Sequence, residues 1–206
     1  MNMKKILYYV HDPMCSWCWG FRPVWQEILS KLPDDIEVRY LLGGLAPDSN
    51  EPMPQGMQDD IAGYWKKIQS HIPGTEFNFD FWDKCEPRRS TYPACRAVIA
   101  ARKQNASLER KMIEEIQTNY YLNAKNPSND DTLIGIAVEL GLDKNEFAED
   151  LNSEDTQQQL IKEIMFSREI GAQGFPSMLV EKLGNYQIVP LNYNDAQGAL
   201  DFIESL

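Results

Sequence analysis

The sequence predicts an α/β fold interrupted by a large all-helical insertion. Three observations predict it. A strand–helix–strand pattern opens the chain, a strand–strand–helix pattern closes it, and the stretch between reads as one helix after another. The closing strands need the opening ones to complete a sheet. Residues 1–44 and 171–206 are therefore expected to form one discontinuous domain, and residues 45–170 a helical insertion domain.

Each element has its own signal. Ile6 to Val10 is a short apolar run rich in strand formers, ended by His11, Asp12 and Pro13. From Cys15 to Leu32, Phe21, Val24, Trp25, Ile28, Leu29 and Leu32 recur at three- and four-residue steps, as on one helix face. Pro23 lies inside that pattern and removes a backbone donor. Ile36, Val38, Tyr40 and Leu42 alternate as a strand does, and Gly43-Gly44 closes the segment. Strand, helix and strand together suggest a right-handed parallel crossover. Pro47, Pro52 and Pro54 mark a loop. Helical segments follow at roughly 57–70, 92–104, 107–123, 131–141, 143–151 and 155–170. Asp143 with Glu146 fits a capping box, Asp131 or Thr132 can cap the helix that follows, and Gly141 and Gly171 sit where helices end. Strands at 177–183 and 186–189 flank Gly184-Asn185, a two-residue hairpin signal. A last helix covers about 193–205, with Ala196, Ala199, Leu200 and Ile203 on one face.

Composition narrows the function classes. The 206 residues include 31 acidic and 20 basic side chains, for a net charge of −11. That balance argues against nucleic acid and anionic membranes as partners, since both require basic surfaces. No stretch approaches the roughly 18 apolar residues of a membrane span. The first residues carry two lysines, but the apolar run after them is too short for a secretory signal, so a cytoplasmic location is expected. Four cysteines are too few for a disulfide scaffold. In a reducing compartment they are catalytic, metal-binding or buried.

Cys15-Ser16-Trp17-Cys18 is a C-x-x-C at the end of a strand and the start of a helix. A helix N-terminus offers unpaired N–H groups and partial positive charge, which favour a thiolate. Cys15, at the exposed end, would be the nucleophile. Cys18, one turn further in, would resolve a mixed disulfide. Two competing readings are a buried structural pair and a zinc site. Zinc would need two more ligands, and the nine residues between Cys85 and Cys95 exceed the usual metal-knuckle spacing. No metal is expected. The second element is Gly174-Phe175-Pro176-Ser177, just ahead of Met178-Leu179-Val180. Pro176 fits either a cis turn, which frees the preceding backbone to pair with an extended substrate, or an ordinary trans proline at a strand start.

Taken together, Cys15-Ser-Trp-Cys18 after the first strand, Pro23 inside the first helix, Gly174-Phe175-Pro176 and the central helical block resemble the DsbA-like branch of the thioredoxin superfamily. Asp12-Pro-Met-Cys-Ser-Trp-Cys-Trp-Gly-Phe21 and Tyr92-Pro-Ala-Cys-Arg-Ala-Val98 look most like the cytoplasmic FrnE-type disulfide-isomerase group. The resemblance covers essentially the whole chain. It implies a thioredoxin-like fold with a helical insertion and a cis Phe175–Pro176 bond. It also implies thiol–disulfide oxidoreductase or isomerase activity through Cys15 and Cys18, with Pro176, Phe175, Trp17 and Ser16 shaping the substrate site. Where periplasmic DsbA has Pro-His between its cysteines, this chain has Ser16-Trp17, so the imidazole is missing and a weaker oxidant is implied. No bound cofactor is implied; glutathione or a dithiol reductant would be the electron partner. The substrate would be a disulfide-containing protein or a small thiol.

Two other functions fit the same scaffold. A glutathione-dependent isomerase or kappa-class-like transferase shares the fold, but a resolving Cys18 has no role in simple glutathione addition. A non-enzymatic peptide-binding protein with reduced thiols is the other. Among further residues, Cys85 and Cys95 read either as auxiliary thiols or as a loop anchor and a small buried residue. Arg88, Arg89 and Arg96 read as surface ion pairs or as an anion-binding cluster. His11 reads as a structural histidine with its hydrogen bonds satisfied, and Phe77, Phe79, Phe81 and Trp82 as core.

Overall fold

A computed structural model describes residues 5–206; Met1 to Lys4, which include the first of the two N-terminal lysines, lie outside the described residues. The elements are β1 (Lys5–His11), α1 (Ser16–Lys31), β2 (Ile36–Leu42), α2 (Gln55–His71), α3 (Asp80–Lys84), α4 (Tyr92–Gln104), α5 (Glu109–Tyr121), α6 (Asp130–Glu139), α7 (Lys144–Leu151), α8 (Glu154–Glu169), β3 (Ser177–Lys182), β4 (Asn185–Val189) and α9 (Gln197–Ser205). The described strands form one sheet in the order β2-β1-β3-β4. β1 runs parallel to β2 and antiparallel to β3, and β3 pairs antiparallel with β4. The parallel β1–α1–β2 crossover and the closing hairpin are those the sequence predicts.

Burial on both faces explains the continuous apolar run of β1. Leu7 and Tyr9 pack with Phe21, Trp25 and Ile28 of α1 and with Leu200 and Ile203 of α9. Tyr8 and Val10 face the other way, toward Phe166 and Ile170 at the end of α8. The helical block has its own centre. Ala94, Ala97, Ala100 and Ala101 of α4 are buried, and their small side chains let neighbouring helices approach closely. Trp65 is fully buried, stacked on Phe77 at 4.9 Å and edge-on to Tyr121 at 5.5 Å. The 77–82 aromatics are core, as expected, though they fold around the five-residue α3, which is too short to show a helical period. Block and sheet are continuous: Met14, Trp19 and Leu42 belong to the same apolar cluster as Trp65 and the α4 core, and the Leu42 N–H donates to Glu163 Oε2 of α8 at 3.0 Å.

Several boundaries differ from expectation. The hairpin turn is Leu183-Gly184, one residue earlier than predicted, because Lys182 pairs with Asn185. Both turn residues have positive φ, +57° and +76°. At α6, Asn129 and not Asp131 or Thr132 occupies the N-cap, so those two residues fall in the first turn. Asp143 caps α7 as predicted, accepting from the Asn145 and Glu146 N–H groups. The Asp143 N–H goes to Gln104 Oε1 at 2.9 Å, and not to Glu146 as a full capping box would require. Gly141 and Gly171 end α6 and α8 with positive φ. Leu142 N–H to Ala137 O and Gly141 N–H to Val138 O form the paired bonds of a Schellman motif. The last helix starts at Gln197, which leaves Tyr193 in the preceding loop.

Candidate active site

The site begins with a carboxyl that ends β1. Asp12 is fully buried. It accepts from the Met14 N–H at 2.8 Å, the Leu45 N–H at 2.7 Å and the Thr91 hydroxyl at 2.6 Å. It thereby ties together the turn before α1, the loop after β2 and the start of α4. Burial raises its pKa even though these hydrogen bonds pull the other way. The Cys15 N–H donates to Asp12 O at 3.0 Å, which leaves Cys15 at the N-cap of α1 in an extended conformation. No acidic side chain occupies the first turn of α1, so nothing there neutralises the positive end of the helix beside the thiol.

Phe175–Pro176 is a cis peptide bond. The Cys15 thiol donates to Phe175 O at 3.5 Å, so the C-x-x-C and the proline loop meet as the resemblance implies. Cys15 is 6% exposed, and so more covered than its place at a helix start suggests. Gly43 shows what holds the loop in place. A Cβ there would lie 1.8 Å from Phe175 Cε1, so the phenyl ring rests on bare glycine backbone. Pro176 itself is buried; Phe175 and Gly174 are the parts of that loop that line the cleft.

Cys18 is 1% exposed, one turn inside Cys15. Burial first, then hydrogen bonding and charge from Cys15, push its thiol well above the ordinary cysteine range. The two sulfurs therefore stand in different settings: Cys15 borders an open cleft and Cys18 is enclosed.

That cleft has a volume of about 480 Å³. Cys15, Ser16 and Trp17 line it together with Met53, Met57 and Tyr64. Trp17 is held edge-on to Tyr193 at 5.1 Å. Arg88 and Arg89 also line it. Arg88 is committed to Ser128 O and Asn129 Oδ1. Arg89 is exposed and makes no hydrogen bond or ion pair among the described residues.

The remaining candidates scatter. Arg96 is buried and bidentate to Asp48, with further bonds to Leu151 O and Gln157, so the three-arginine cluster divides into one structural and two cleft members. The Cys85 thiol donates to Ala124 O at 3.1 Å, and burial raises its pKa. Cys95 is fully buried and points its thiol at Asp12 Oδ2, 3.5 Å away; burial and that carboxylate push its pKa well up. His11 is fully buried, and neither ring nitrogen has a hydrogen-bond partner, contrary to the satisfied histidine expected. Burial, with the charge of Arg102, lowers its pKa to about 3, so it is a neutral packing ring stacked on Tyr9. His71 ends α2 at the surface, where its backbone carbonyl accepts from Asn194. Asp12 and Tyr193 are functional residues that the sequence does not single out. A carboxylate at a strand end directly before a C-x-x-C was a visible signal for Asp12; Tyr193 had none. Among the described residues no cluster of histidine, cysteine and carboxylate side chains is arranged to hold a metal ion, and no helix is long and apolar enough to cross a membrane.

A family model described as thioredoxin matches residues 8–188. The chain belongs to the thioredoxin family. Its structure is similar to that of a Nitrosomonas europaea protein of proposed disulfide-isomerase function, with a TM-score of 0.85 at 25% identity over 98% of this chain and 97% of that one. It also shares its fold with the cytosolic disulfide reductase DsbM of Pseudomonas aeruginosa, with a TM-score of 0.76 at 24% identity over 97% of each chain. A second structure of DsbM contains GSH. Among curated proteins it is 26% identical over 177 residues to the ClpXP adapter protein SpxH of Halalkalibacterium halodurans, covering 84% of this chain. This thioredoxin-family chain spans only 57% of that relative's length.

Proposed function

We propose that this chain is a thiol–disulfide oxidoreductase in which Cys15 attacks and Cys18 resolves. The observation that carries the reading is the meeting of Cys15 Sγ, at the N-cap of α1, with the Phe175 carbonyl of the cis-proline loop at the edge of an open cleft. The Cys15 thiolate attacks a disulfide R–S–S–R′, forms a mixed disulfide and releases R′–S⁻. The Cys18 thiolate then attacks the Cys15 sulfur, closes the Cys15–Cys18 disulfide and releases R–S⁻. Two electrons have passed from the protein to the substrate. Two glutathione molecules or one dithiol return them, and run in reverse the same steps oxidise a dithiol substrate. Phe175 and Trp17 flank the incoming sulfur, Ser16 lines the same cleft, and buried Pro176 holds the turn that presents the Phe175 carbonyl. Arg89, free of a carboxylate partner, suits the carboxylate of a small peptide thiol such as glutathione. A cytosolic location suits the reductive direction, as it does for DsbM, and a disulfide-containing protein or small thiol is the substrate.

Equilibration in glutathione buffers of graded poise, followed by alkylation and mass spectrometry, tests this. Loss of label from Cys15 and Cys18 together, with two-electron dependence, is expected. Four labelled cysteines at every poise would overturn the reading.

A second reading rests on the SpxH relatives, which are adapters. The methionine- and aromatic-lined cleft could seat a polypeptide without chemistry. Replacing Cys15 by serine separates the two: exchange requires the thiol, and adapter binding survives its loss.

A further inference from the structure

A second cavity, of about 30 Å³, lies against Cys18. Cys18 lines it and Cys15 does not, and it shares no lining residue with the substrate cleft. That volume holds about one water, provided polar groups are there to receive it. They are. Gln117 of α5 is 4% exposed and lines the cavity, and its side-chain amide has no hydrogen-bond partner among the described residues. The Tyr9 hydroxyl is equally uncommitted. The Tyr40 hydroxyl accepts from Trp25 Nε1 at 3.1 Å and keeps its own proton to donate. With no protein partner, that amide is left for water to satisfy. From there the cavity runs outward to Glu114, Gln26 and Arg110, the last two exposed.

We propose that this cavity is a water site, held by Gln117, through which the Cys18 thiol exchanges its proton with solvent. The inference rests on the exchange reading above and concerns its second step. Resolution requires Cys18 as a thiolate, and the enclosed thiol holds its proton strongly. The proton passes from Cys18 Sγ to the water and leaves past Glu114. The thiolate then attacks the Cys15 sulfur, the mixed disulfide breaks, and the leaving R–S⁻ takes a proton from solvent in the cleft. Protons and electrons balance without any further oxidant or reductant. Gln117 is a positioning residue: it touches neither sulfur's bond-making orbital nor the substrate, and it acts by placing the water. The titratable and charged groups around Cys18 and the cavity are Asp12 and Cys15 on the C-x-x-C side, Tyr9 of β1, Tyr40 of β2, Arg22 of α1, Arg110, Glu114 and Tyr121 of α5, and Tyr193 ahead of α9. None of the carboxylates among them lines both the cavity and the cleft.

The test is a pre-steady-state comparison of wild type with Gln117→Leu and Gln117→Glu, using oxidised glutathione as the substrate. Formation of the mixed disulfide at Cys15 and its resolution by Cys18 are followed separately by acid quench and intact-mass analysis from pH 6 to 9. Gln117→Leu is expected to leave the first step unchanged, to slow resolution about tenfold at pH 7 and to move its pH midpoint upward. Gln117→Glu, which keeps a polar partner for the water, is expected to restore the rate and move the midpoint back down. Equal resolution rates and midpoints in all three proteins would overturn the proposal while leaving the exchange reading intact. Equal slowing of both steps would also overturn it, since that reports general damage. Failure of the wild type to form any mixed disulfide would instead overturn the exchange reading itself.

Discussion

Asp12 shows how one residue can position a whole site. Its four donors come from its own turn and from Leu45, Thr91 and Cys95, which lie 33, 79 and 83 residues away. Asn in its place would keep one acceptor and set an NH2 against donors that need an oxygen. Asp12→Asn is expected to destabilise the protein by about 1–3 kcal/mol, measured by urea unfolding, because a buried donor loses its partner. The sequence shows a carboxylate between a strand end and the C-x-x-C, but not the distant donors that give it this role. Cys15 and Cys18 were legible because a single local pattern, strand end then C-x-x-C then helix period, carries them. Gly43 lies between these cases. The sequence shows a glycine closing a strand, but its reason is the Phe175 ring, 132 positions further along, resting where a Cβ would be. Gly43→Ala must displace that ring. It is expected to slow the reaction of Cys15 with disulfides about tenfold or more, while circular dichroism still reports a folded protein.

At the scale of elements, periodic segments declared themselves and turns did so less well. The helices of the central block and both strand pairs appear within a few residues of their expected places. The hairpin slipped by one residue because Gly-Asn and Leu-Gly are both possible two-residue loops, and pairing with β3 settles the register. The outcome leaves Leu183 at φ +57°, 68% exposed, in a region that disfavours a bulky side chain. Leu183→Asn keeps the turn and relieves that conformation. A gain on the order of 1 kcal/mol in unfolding free energy is expected, since asparagine tolerates the left-handed region. No change, or a loss, would mean that the Leu183 side chain makes contacts worth more than its backbone strain. The short α3 and the late start of α9 escaped the sequence for local reasons: five residues show no period, and the chain ahead of α9 is held in side-chain turns, with Asn192 Oδ1 accepting from the Asn194 N–H and Asp195 Oδ1 from the Gln197 N–H.

At the scale of the molecule, the sheet and the helical block share one apolar cluster, and buried titratable groups near their junction couple folding to pH. The unfolded chain protonates His11 near 6.5, whereas the folded protein resists until about 3. The folded state thus binds fewer protons in that window, and stability falls as pH falls through it. Asp12 acts in the opposite sense: its raised pKa makes the folded state bind more protons just above the ordinary carboxylate range. Because the His11 nitrogens bond to nothing, His11→Phe removes the first effect at little packing cost. Between pH 7.5 and pH 5 the wild type is expected to lose about 2 kcal/mol that the variant keeps. Parallel urea profiles for the two proteins would contradict this.

The central claim is that Cys15 exchanges disulfides and Cys18 resolves them. Intact-mass analysis of Cys18→Ser after exposure to oxidised glutathione tests it most directly. One persistent glutathione adduct mapping to Cys15 is expected in Cys18→Ser, a transient adduct giving way to an internal disulfide in the wild type, and none at that position in Cys15→Ser. An unmodified Cys15 in folded Cys18→Ser would contradict it.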